Sequence, residues 1–316
     1  MRAATCADMS GGGTQVSIPV RDYDLTATLA SGQAFRWRQV GDAWEGIIGD
    51  HWVRLKSHEQ TIIAEAANRV TEWTWLIDYL QCDVDLSSIL LTFPNDDAMR
   101  ASVAACRGLR LLRQDPWECL ASFILSSTKQ IVQIQQIVRL LCGRFGAPVL
   151  VPAGHEPAHA FPTTEQLALA NESELRACKM GFRAPNLLKT ACLVAEGKVD
   201  LKLIANMSTN EARKELCRLP GVGNKIANCV LLFAYGFQQA FPIDVWVMKA
   251  LRQLYFPKRR PTQKRLLEFT NSYFGPNAGY AQQYLFHYMR THRGDKVAVA
   301  AGVTSLKPRP QRVRKN

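Results

Sequence analysis

The sequence predicts an α+β protein in which an antiparallel β-sheet domain, residues 14–100, precedes an all-helical domain, residues 101–293. Up to residue 66, short β-branched and aromatic runs alternate with turn residues, which is typical of an antiparallel meander. After Glu72 the apolar residues recur at i, i+3, i+4 and i+7, the period of amphipathic helices. The chain has 316 residues, 47% of them hydrophobic, and can bury a full core.

The first part of the chain opens with residues 1–13, which we expect to be a flexible leader. A short helix is predicted in the stretch DLTATLASG, ending at Gly32, because glycine readily adopts the left-handed conformation found at helix ends. Four strands are predicted after it, at residues 34–40, 43–50, 51–56 and 61–66.

Amphipathic segments predict the helices of the second part. They are residues 96–107, 118–127, 131–146, 163–170, 173–180, 184–197, 209–219, 224–235, 244–256, 262–274 and 279–292. The tail, residues 294–316, is low in large apolar residues and is expected to be disordered.

The chain is basic, with a net charge of +12 at pH 7. Six Lys or Arg and one acid give the tail +5, which leaves +7 on the body. This charge favours a polyanionic partner, with nucleic acid first and a membrane surface second, although a generic basic protein has the same balance.

Nine cysteines form no CxxC or CxxxxC pair, which argues against a zinc site, an iron–sulfur cluster or a secreted disulfide framework. We therefore expect no metal and no cofactor. The N-terminus has no apolar signal core, and no run approaches transmembrane length. We expect an intracellular protein with no membrane partner, in the cytoplasm or nucleoid if bacterial and in the nucleus if eukaryotic.

The stretch LPGVGNKIANC, residues 219–229, predicts a glycine hairpin between two helices. Gly221 and Gly223 permit positive φ and a close backbone approach, and Asn224 is expected to cap the second helix. With Val222 between the glycines, the hairpin presents backbone N–H groups at a helix N-terminus, where phosphates bind. Such a helix–hairpin–helix binds a DNA backbone without reading its sequence.

Lys225 lies in the first turn of that second helix, where the helix dipole disfavours a cation by roughly 0.3–1 kcal/mol. A lysine that is disfavoured as an ammonium is more easily the free amine, which is a nucleophile. The alternative is that Lys225 simply binds the phosphate held by the hairpin.

Asp244 precedes the next apolar-periodic run and is predicted to be its N-cap. Capping N–H groups and the helix dipole would keep its pKa low, so we expect an ionised carboxylate. Because Lys225 and Asp244 begin consecutive helices, their side chains could face one cleft. An amine beside an anion suits a reaction that builds positive charge on a sugar.

Six motifs occur in order between residues 25 and 292: SGQAFRW (31–37), GLRLLRQDPWECLASFILSS (108–127), MGFRA (180–184), LPGVGNKIANC (219–229), FPIDVW (241–246) and AGYAQQYLF (278–286). Together they resemble the 8-oxoguanine DNA glycosylase family of base-excision enzymes. A glycine hairpin alone is a weak signal, but six ordered motifs are specific. The resemblance implies a sheet domain before a helical glycosylase domain, which carries a helix–hairpin–helix and a Gly/Pro-rich loop plus Asp.

The resemblance also implies a role for each matching residue of the site. Lys225 would attack the deoxyribose anomeric carbon, and Asp244 would support it and stabilise an oxocarbenium-like transition state. Cys229 and Phe286 would sandwich the extruded base. Gln282 would read its Watson–Crick edge.

Three further positions follow from the same resemblance. The carbonyl of Gly32 would accept the N7 proton that 8-oxoguanine has and guanine lacks. Phe182 would wedge into the vacated stack, and Arg183 would contact the orphaned base. Without the motifs, each position has a simpler interpretation. Gly32 would be a helix C-cap and Arg183 a generic phosphate contact. Cys229 and Phe286 would be core residues, and Gln282 a solvent-exposed polar residue.

The chain departs from animal and fungal members of the family at several positions. Thr128-Lys129-Gln130 replaces an asparagine run, and Gln133 stands where those members carry an arginine that helps hold the opposite cytosine. We place Thr128 and Gln133 at the opposite base and expect weaker discrimination of that base. Trp246 replaces a frequent histidine, and the wedge is phenylalanine rather than tyrosine. These changes favour a bacterial-type member.

The function implied is that of a bifunctional DNA glycosylase/AP lyase, because attack by an amine yields a Schiff base and then β-elimination. Its partner would be double-stranded DNA carrying an oxidised purine, bound by a monomer. One alternative is a sister glycosylase for alkylated bases, which typically lacks the lysine. Another is a non-catalytic helix–hairpin–helix module, which would need neither Lys225 nor Asp244. Sisters with a four-cysteine iron–sulfur motif are disfavoured because no cysteine follows Cys229.

Overall fold

The predicted order, an antiparallel sheet followed by a helical domain, is confirmed. A computed structural model of the chain describes residues 5–8, 13–257 and 261–291. The sheet has six antiparallel strands in the order β1-β2-β6-β5-β4-β3. They are β1 (Thr5–Asp8), β2 (Thr14–Pro19), β3 (Arg38–Val40), β4 (Ala43–Ile48), β5 (His51–His58) and β6 (Thr61–Ala66).

One face of the sheet is buried because side chains alternate along each strand. Val16 of β2 lies opposite Ala64 of β6, and Ile18 lies opposite Ile62. All four side chains belong to one apolar cluster, which also contains Trp73 and the residues around it. The sheet therefore has its own core, separate from the helical one.

The first strand falls inside the predicted leader. Thr5–Asp8 pairs with the residues from Ser17 back to Thr14, so this part of the leader belongs to the sheet. The rest of the leader up to residue 12, and the predicted disordered tail from residue 294, lie outside the described residues.

The predicted strand at residues 34–40 is wrong in its first half, since only Arg38–Val40 pairs in the sheet. The reason is that its two aromatic residues belong to different cores. Phe35 packs edge-on against Phe123, with 5.4 Å between the ring centroids. Trp37 lies against Gly46, where an added Cβ would come within 2.5 Å of the indole. The segment thus joins the sheet to the helical domain.

The helices are α1 (Leu25–Ala30), α2 (Thr74–Leu80), α3 (Leu86–Leu90), α4 (Asp97–Ala105), α5 (Pro116–Leu125), α6 (Ile131–Phe145), α7 (Thr164–Ala168), α8 (Glu172–Ala177), α9 (Ala184–Ala195), α10 (Thr209–Leu216), α11 (Asn224–Phe233), α12 (Val245–Ala250), α13 (Gln263–Tyr273) and α14 (Ala278–Thr291). A π-helical turn, Leu251–Tyr255, continues α12, and a short ribbon pairs β7 (Pro148–Val149) with β8 (Ala158–His159). α2 and α3 lie inside the predicted sheet domain, and α4 crosses the predicted boundary at residue 100.

The predicted glycine hairpin joins α10 to α11. Gly221 has φ +78°, and a Cβ there would lie 2.8 Å from the side-chain nitrogen of Asn186 on α9, so only glycine fits. The predicted cap at Asn224 is wrong by one residue. Gly223 is the N-cap, with extended backbone, and Asn224 already begins the helix.

Two helices at the centre of the helical core carry the site. Every residue of α11 from Ile226 to Phe233 is buried, and α14 is buried over most of its length. Among the described residues, no helix is long and apolar enough to cross a membrane.

Candidate active site

A cavity of about 740 Å³ lies between the ends of α5, α11, α12 and α14. Most of the predicted site residues line this cavity. Those that do are Gly32, Thr128, Lys225, Cys229, Asp244, Gln282 and Phe286. Pockets of roughly 300–1,000 Å³ accommodate small ligands, so the cavity is large enough for a nucleobase.

Lys225 is held at the mouth of the cavity by the first turn of α11. Its Nζ donates a hydrogen bond to Oγ of Ser126 at 3.2 Å and lies 5.1 Å from the centre of the Phe123 ring. No ion pair within the described part of the chain joins Lys225 to Asp244, although both line the cavity. The amine is therefore positioned by a hydroxyl, a ring and the neighbouring thiol of Cys229, and is not tied to the carboxylate.

Cys229 follows Lys225 by one helical turn and forms an apolar wall. Its side chain is 3% exposed, and burial raises the pKa of the thiol to about 11, against the opposing effect of Lys225. The thiol is therefore protonated at neutral pH. A neutral sulfur is a soft surface that suits contact with a flat base.

Asp244 is the N-cap of α12, as predicted. One carboxylate oxygen accepts hydrogen bonds from the backbone N–H groups of Trp246 at 3.0 Å and Val247 at 2.8 Å. The predicted low pKa is wrong, because burial raises the pKa of Asp244 by more than these N–H groups and Lys225 lower it. An anion at this position is thus partly deprived of water and responds strongly to positive charge nearby.

The third wall of the cavity is α14, where Gln282 and Phe286 lie one turn apart. Gln282 is 3% exposed, and its Oε1 has no hydrogen-bond partner among the described residues. A buried acceptor without a partner lowers stability by about 1–3 kcal/mol, and a hydrogen-bond donor on a ligand would offset this cost. The ring of Phe286 is half-buried and lies beside the amide on the same helix face.

Gly32 completes the cavity just after α1. Its φ is +77°, and a Cβ would lie 2.6 Å from Cδ1 of Ile131, so both backbone conformation and space require glycine. The helix end predicted at this position is confirmed to within two residues, because α1 ends at Ala30.

The predicted opposite-base residues lie at the rim or outside the cavity. Thr128 lines the cavity with a left-handed backbone, φ +59°, and its hydroxyl accepts a hydrogen bond of 2.6 Å from Arg183. The guanidinium of Arg183 lies 4.2 Å from the centre of the Phe182 ring, and that ring is 61% exposed. Burial lowers the pKa of Arg183.

Gln133 lies away from the main cavity and lines a second cavity of about 930 Å³ between α6 and the sheet. Its side-chain oxygen accepts the backbone N–H of Gln130 at 3.0 Å, so it helps cap α6. In the hairpin, Gly221 and Gly223 are exposed, whereas Val222 is buried and anchors the turn. Contact of these residues with DNA stays a prediction.

Several residues of the site were missed from the sequence. Ser126 and Phe123, which contact Lys225, belong to a quoted motif but had no assigned role. Arg290 also lines the cavity, and its guanidinium lies 5.7 Å from the centre of the Phe286 ring. Its spacing of four from Phe286 along an amphipathic helix was the available signal. Within the described part of the chain, no group of three metal-ligating side chains is present.

Two family models match consecutive parts of the chain. Residues 15–120 match the N-terminal domain of 8-oxoguanine DNA glycosylase, and residues 121–276 match the HhH-GPD superfamily of base excision DNA repair proteins. The junction lies in α5, close to where the two cores meet.

Named relatives and a solved structure cover most of the chain. A probable N-glycosylase/DNA lyase of Methanothermobacter thermautotrophicus is 30% identical over 86% of this chain and 95% of its own. The N-glycosylase/DNA lyase OGG1 of Arabidopsis thaliana is 31% identical over 84% of this chain and 77% of its own. The 8-oxoguanine glycosylase/lyase of Clostridium acetobutylicum, solved with double-stranded DNA containing cytosine opposite 8-oxoG, superposes with a TM-score of 0.82. It is 30% identical and covers 90% of this chain and 98% of its own.

Proposed function

Since the chain belongs to the 8-oxoguanine DNA glycosylase family, we propose that it excises 8-oxoguanine and related oxidised purines from duplex DNA and then cuts the strand as an AP lyase. The observation that carries this proposal is one cavity holding an amine, a half-buried carboxylate and an unpartnered amide oxygen: Lys225, Asp244 and Gln282. These are the groups needed for nucleophilic attack, charge stabilisation and base recognition.

The base would enter the cavity after leaving the duplex, at a cost of a few kcal/mol. Stacking between Cys229 and Phe286 recovers part of this cost, since base–aromatic stacking contributes about 1–3 kcal/mol. The Oε1 of Gln282 accepts an N–H from the Watson–Crick edge. The carbonyl of Gly32 accepts the N7–H of the oxidised purine, a donor that guanine lacks.

The chemistry proceeds by two bond exchanges at the sugar. Nζ of Lys225 attacks C1′ through its lone pair, and the N-glycosidic bond breaks with its electron pair leaving on the base, which takes up the proton that the nitrogen then releases. The carboxylate of Asp244 stabilises the positive charge that develops on the sugar, and its burial strengthens that interaction. Ring opening gives a Schiff base, and loss of a C2′ proton then expels the 3′ phosphate.

The hairpin binds the DNA backbone at a place outside the cavity. Exposed glycines at the N-terminus of α11 let a phosphate approach the backbone N–H groups, as the helix dipole favours. We place Phe182 in the vacated stack and Arg183, Thr128 and Gln133 at the orphaned base, with Gln133 reaching it from the second cavity. We further propose that the protein acts inside the cell as a monomer.

Borohydride trapping tests the proposal, because borohydride reduces a Schiff base to a stable amine. With a duplex containing 8-oxoguanine opposite cytosine, the protein should form a covalent adduct, and Lys225→Gln should abolish it. Lys249→Gln is the matched control, since this exposed lysine lies on α12 outside the cavity. An adduct that persists in Lys225→Gln would move the nucleophile elsewhere. No adduct with the unchanged protein would favour a non-catalytic DNA-binding module.

A further inference from the structure

Helix α14 holds the backbone just before Gly32 through two side chains. Nε2 of Gln283 donates a hydrogen bond of 3.1 Å to the carbonyl of Ser31, and Gln283 is 2% exposed. Nη2 of Arg290 donates to the carbonyl of Ala30. A Cβ built on Gly32 would lie 3.6 Å from Nη1 of Arg290, so the guanidinium reaches the glycine itself.

The residue after Gly32 is held equally firmly from the other side. The carbonyl of Gln33 accepts a hydrogen bond of 2.7 Å from Gln114, and its side-chain amide donates to the carbonyl of Arg110 at 2.8 Å. Its side-chain oxygen accepts the backbone N–H of Leu112 at 2.8 Å. Gln33 is 1% exposed, so these hydrogen bonds are shielded from solvent.

In this run of four residues, one carbonyl is unused. The carbonyls of Ala30, Ser31 and Gln33 each accept a side-chain donor, whereas that of Gly32 accepts no hydrogen bond from the described part of the chain. Gly32 is also the residue of the four that lines the cavity.

We propose that Gln283 and Arg290 are positioning residues, which fix the Gly32 carbonyl as the acceptor for the N7 proton of the oxidised purine. The inference rests on the proposed function and deepens it, because it makes recognition of the lesion depend on two residues that do not themselves read the base. Both lie on α14, the helix that carries Gln282 and Phe286. One helix therefore positions the amide that reads the base, the ring that stacks on it and the carbonyl that accepts its N7 proton.

The physical reason is that selection by a single acceptor requires a rigid acceptor. Guanine is disfavoured because it leaves the Gly32 carbonyl unpaired in a buried site. A glycine with positive φ has wide backbone freedom, so an unrestrained peptide could turn its carbonyl away and remove that penalty. Holding the neighbouring carbonyls prevents this turn.

The test compares three activities in Gln283→Met, Arg290→Met and Arg290→Lys: excision of 8-oxoguanine, excision of guanine, and cleavage of a preformed abasic site. Methionine keeps the length of glutamine, is shorter than arginine, and removes the donor in both cases. In both methionine variants we expect excision of 8-oxoguanine to fall roughly tenfold, the preference over guanine to fall with it, and abasic-site cleavage to stay within about twofold. Arg290→Lys retains a donor and should recover most of the preference.

Gln135→Met is the matched control, because Gln135 also donates from a helix to a distant carbonyl, that of Trp37 at 3.3 Å, but away from the main cavity. It should leave the preference unchanged. If the unchanged protein excises 8-oxoguanine and Gln283→Met keeps the full preference, the positioning role is overturned while the proposed function stands. An equal loss of excision and abasic-site cleavage would identify a purely structural role and overturn it too. Failure of the unchanged protein to excise 8-oxoguanine would instead overturn the proposed function.

Discussion

The two sides of the proposed DNA-binding region differ in how tightly they are built. Around Gly32 and Gln282, the glutamines Gln33, Gln282 and Gln283 are almost fully buried, and the acceptors without a hydrogen bond from the described residues are Oε1 of Gln282 and the carbonyl of Gly32. Around Phe182 and Arg183, an aromatic ring is 61% exposed. The guanidinium beside it is buried and donates to Thr128 and to the carbonyl of Met180, while its Nε has no partner in the described part of the chain.

This difference indicates where selectivity lies. A rigid, bonded pocket can reject a base that lacks one proton, whereas a loosely held edge can adapt to several partners. We therefore expect sharp selection of the lesion and weak selection of the base opposite. Four substitutions can break or sharpen this comparison.

The largest effect is expected from Asp244→Asn, on the pocket side. Excision should slow by about 100- to 1,000-fold, the size of effect found when one electrostatic stabiliser is removed from an active site. Asparagine is also a good N-cap, so α12 should be kept. Single-turnover excision of 8-oxoguanine measures the rate, and unchanged lesion binding is the control. A small effect on the rate would reduce Asp244 to a cap.

The same substitution should raise stability, and the sign follows from the pKa. Burial raises the folded-state pKa of Asp244 above its ordinary value of 3.8, so its ionisation opposes folding. The native protein is favoured by this group below the unfolded pKa, and that contribution is lost as pH rises through the folded pKa. Thermal unfolding from acid to neutral pH should therefore show Asp244→Asn gaining stability relative to the unchanged protein as pH rises.

A smaller effect is expected from Gln282→Leu. The substitution removes the buried acceptor, so lesion affinity should fall about tenfold while affinity for undamaged duplex stays the same. Phe182→Ala, on the other side, is the comparison variant and should slow excision without changing the preference for the lesion over guanine. Equilibrium binding to matched duplexes with and without the lesion distinguishes the two variants. If Gln282→Leu lost equal affinity for the damaged and the undamaged duplex, Gln282 would have no role in recognising the base.

The smallest effect is expected from Thr128→Asn at the loosely built edge. Threonine is strained at φ +59°, whereas asparagine tolerates the left-handed region, so unfolding free energy should rise by about 1 kcal/mol or less. Excision opposite the four bases should change by about twofold at most, because asparagine keeps an acceptor for Arg183. Urea unfolding measures the stability. A large change in lesion preference would contradict the separation of the two sides.

Sequence reasoning succeeded where spacing alone fixes geometry. Lys225 with Cys229, and Gln282 with Phe286, are one helical turn apart, and each pair indeed lines the cavity. It failed for the pKa of Asp244, because capping can be seen in the sequence while burial depends on distant segments. It also failed for residues 34–37, because nothing local reveals that Phe35 and Trp37 belong to different cores.

The residues of the site that were missed share a similar cause. Gln283 and Arg290 act through contacts with residues about 250 positions earlier in the chain, and no local pattern encodes such a contact. Gln133 was placed at the opposite base from its position alone, and that contact stays a prediction; the sequence did not show that its side-chain oxygen caps α6. A motif gives the position of a residue but not what its side chain bonds to.

The protonated thiol of Cys229 affects how readily the active site is oxidised. Oxidants attack the thiolate far faster than the thiol, and burial raises the pKa of this thiol to about 11, so the thiol form predominates at pH 7. Oxidised purines arise in the same chemical surroundings that damage exposed cysteines. Burial thus keeps the thiol that forms one wall of the cavity in its less reactive form where oxidants are present.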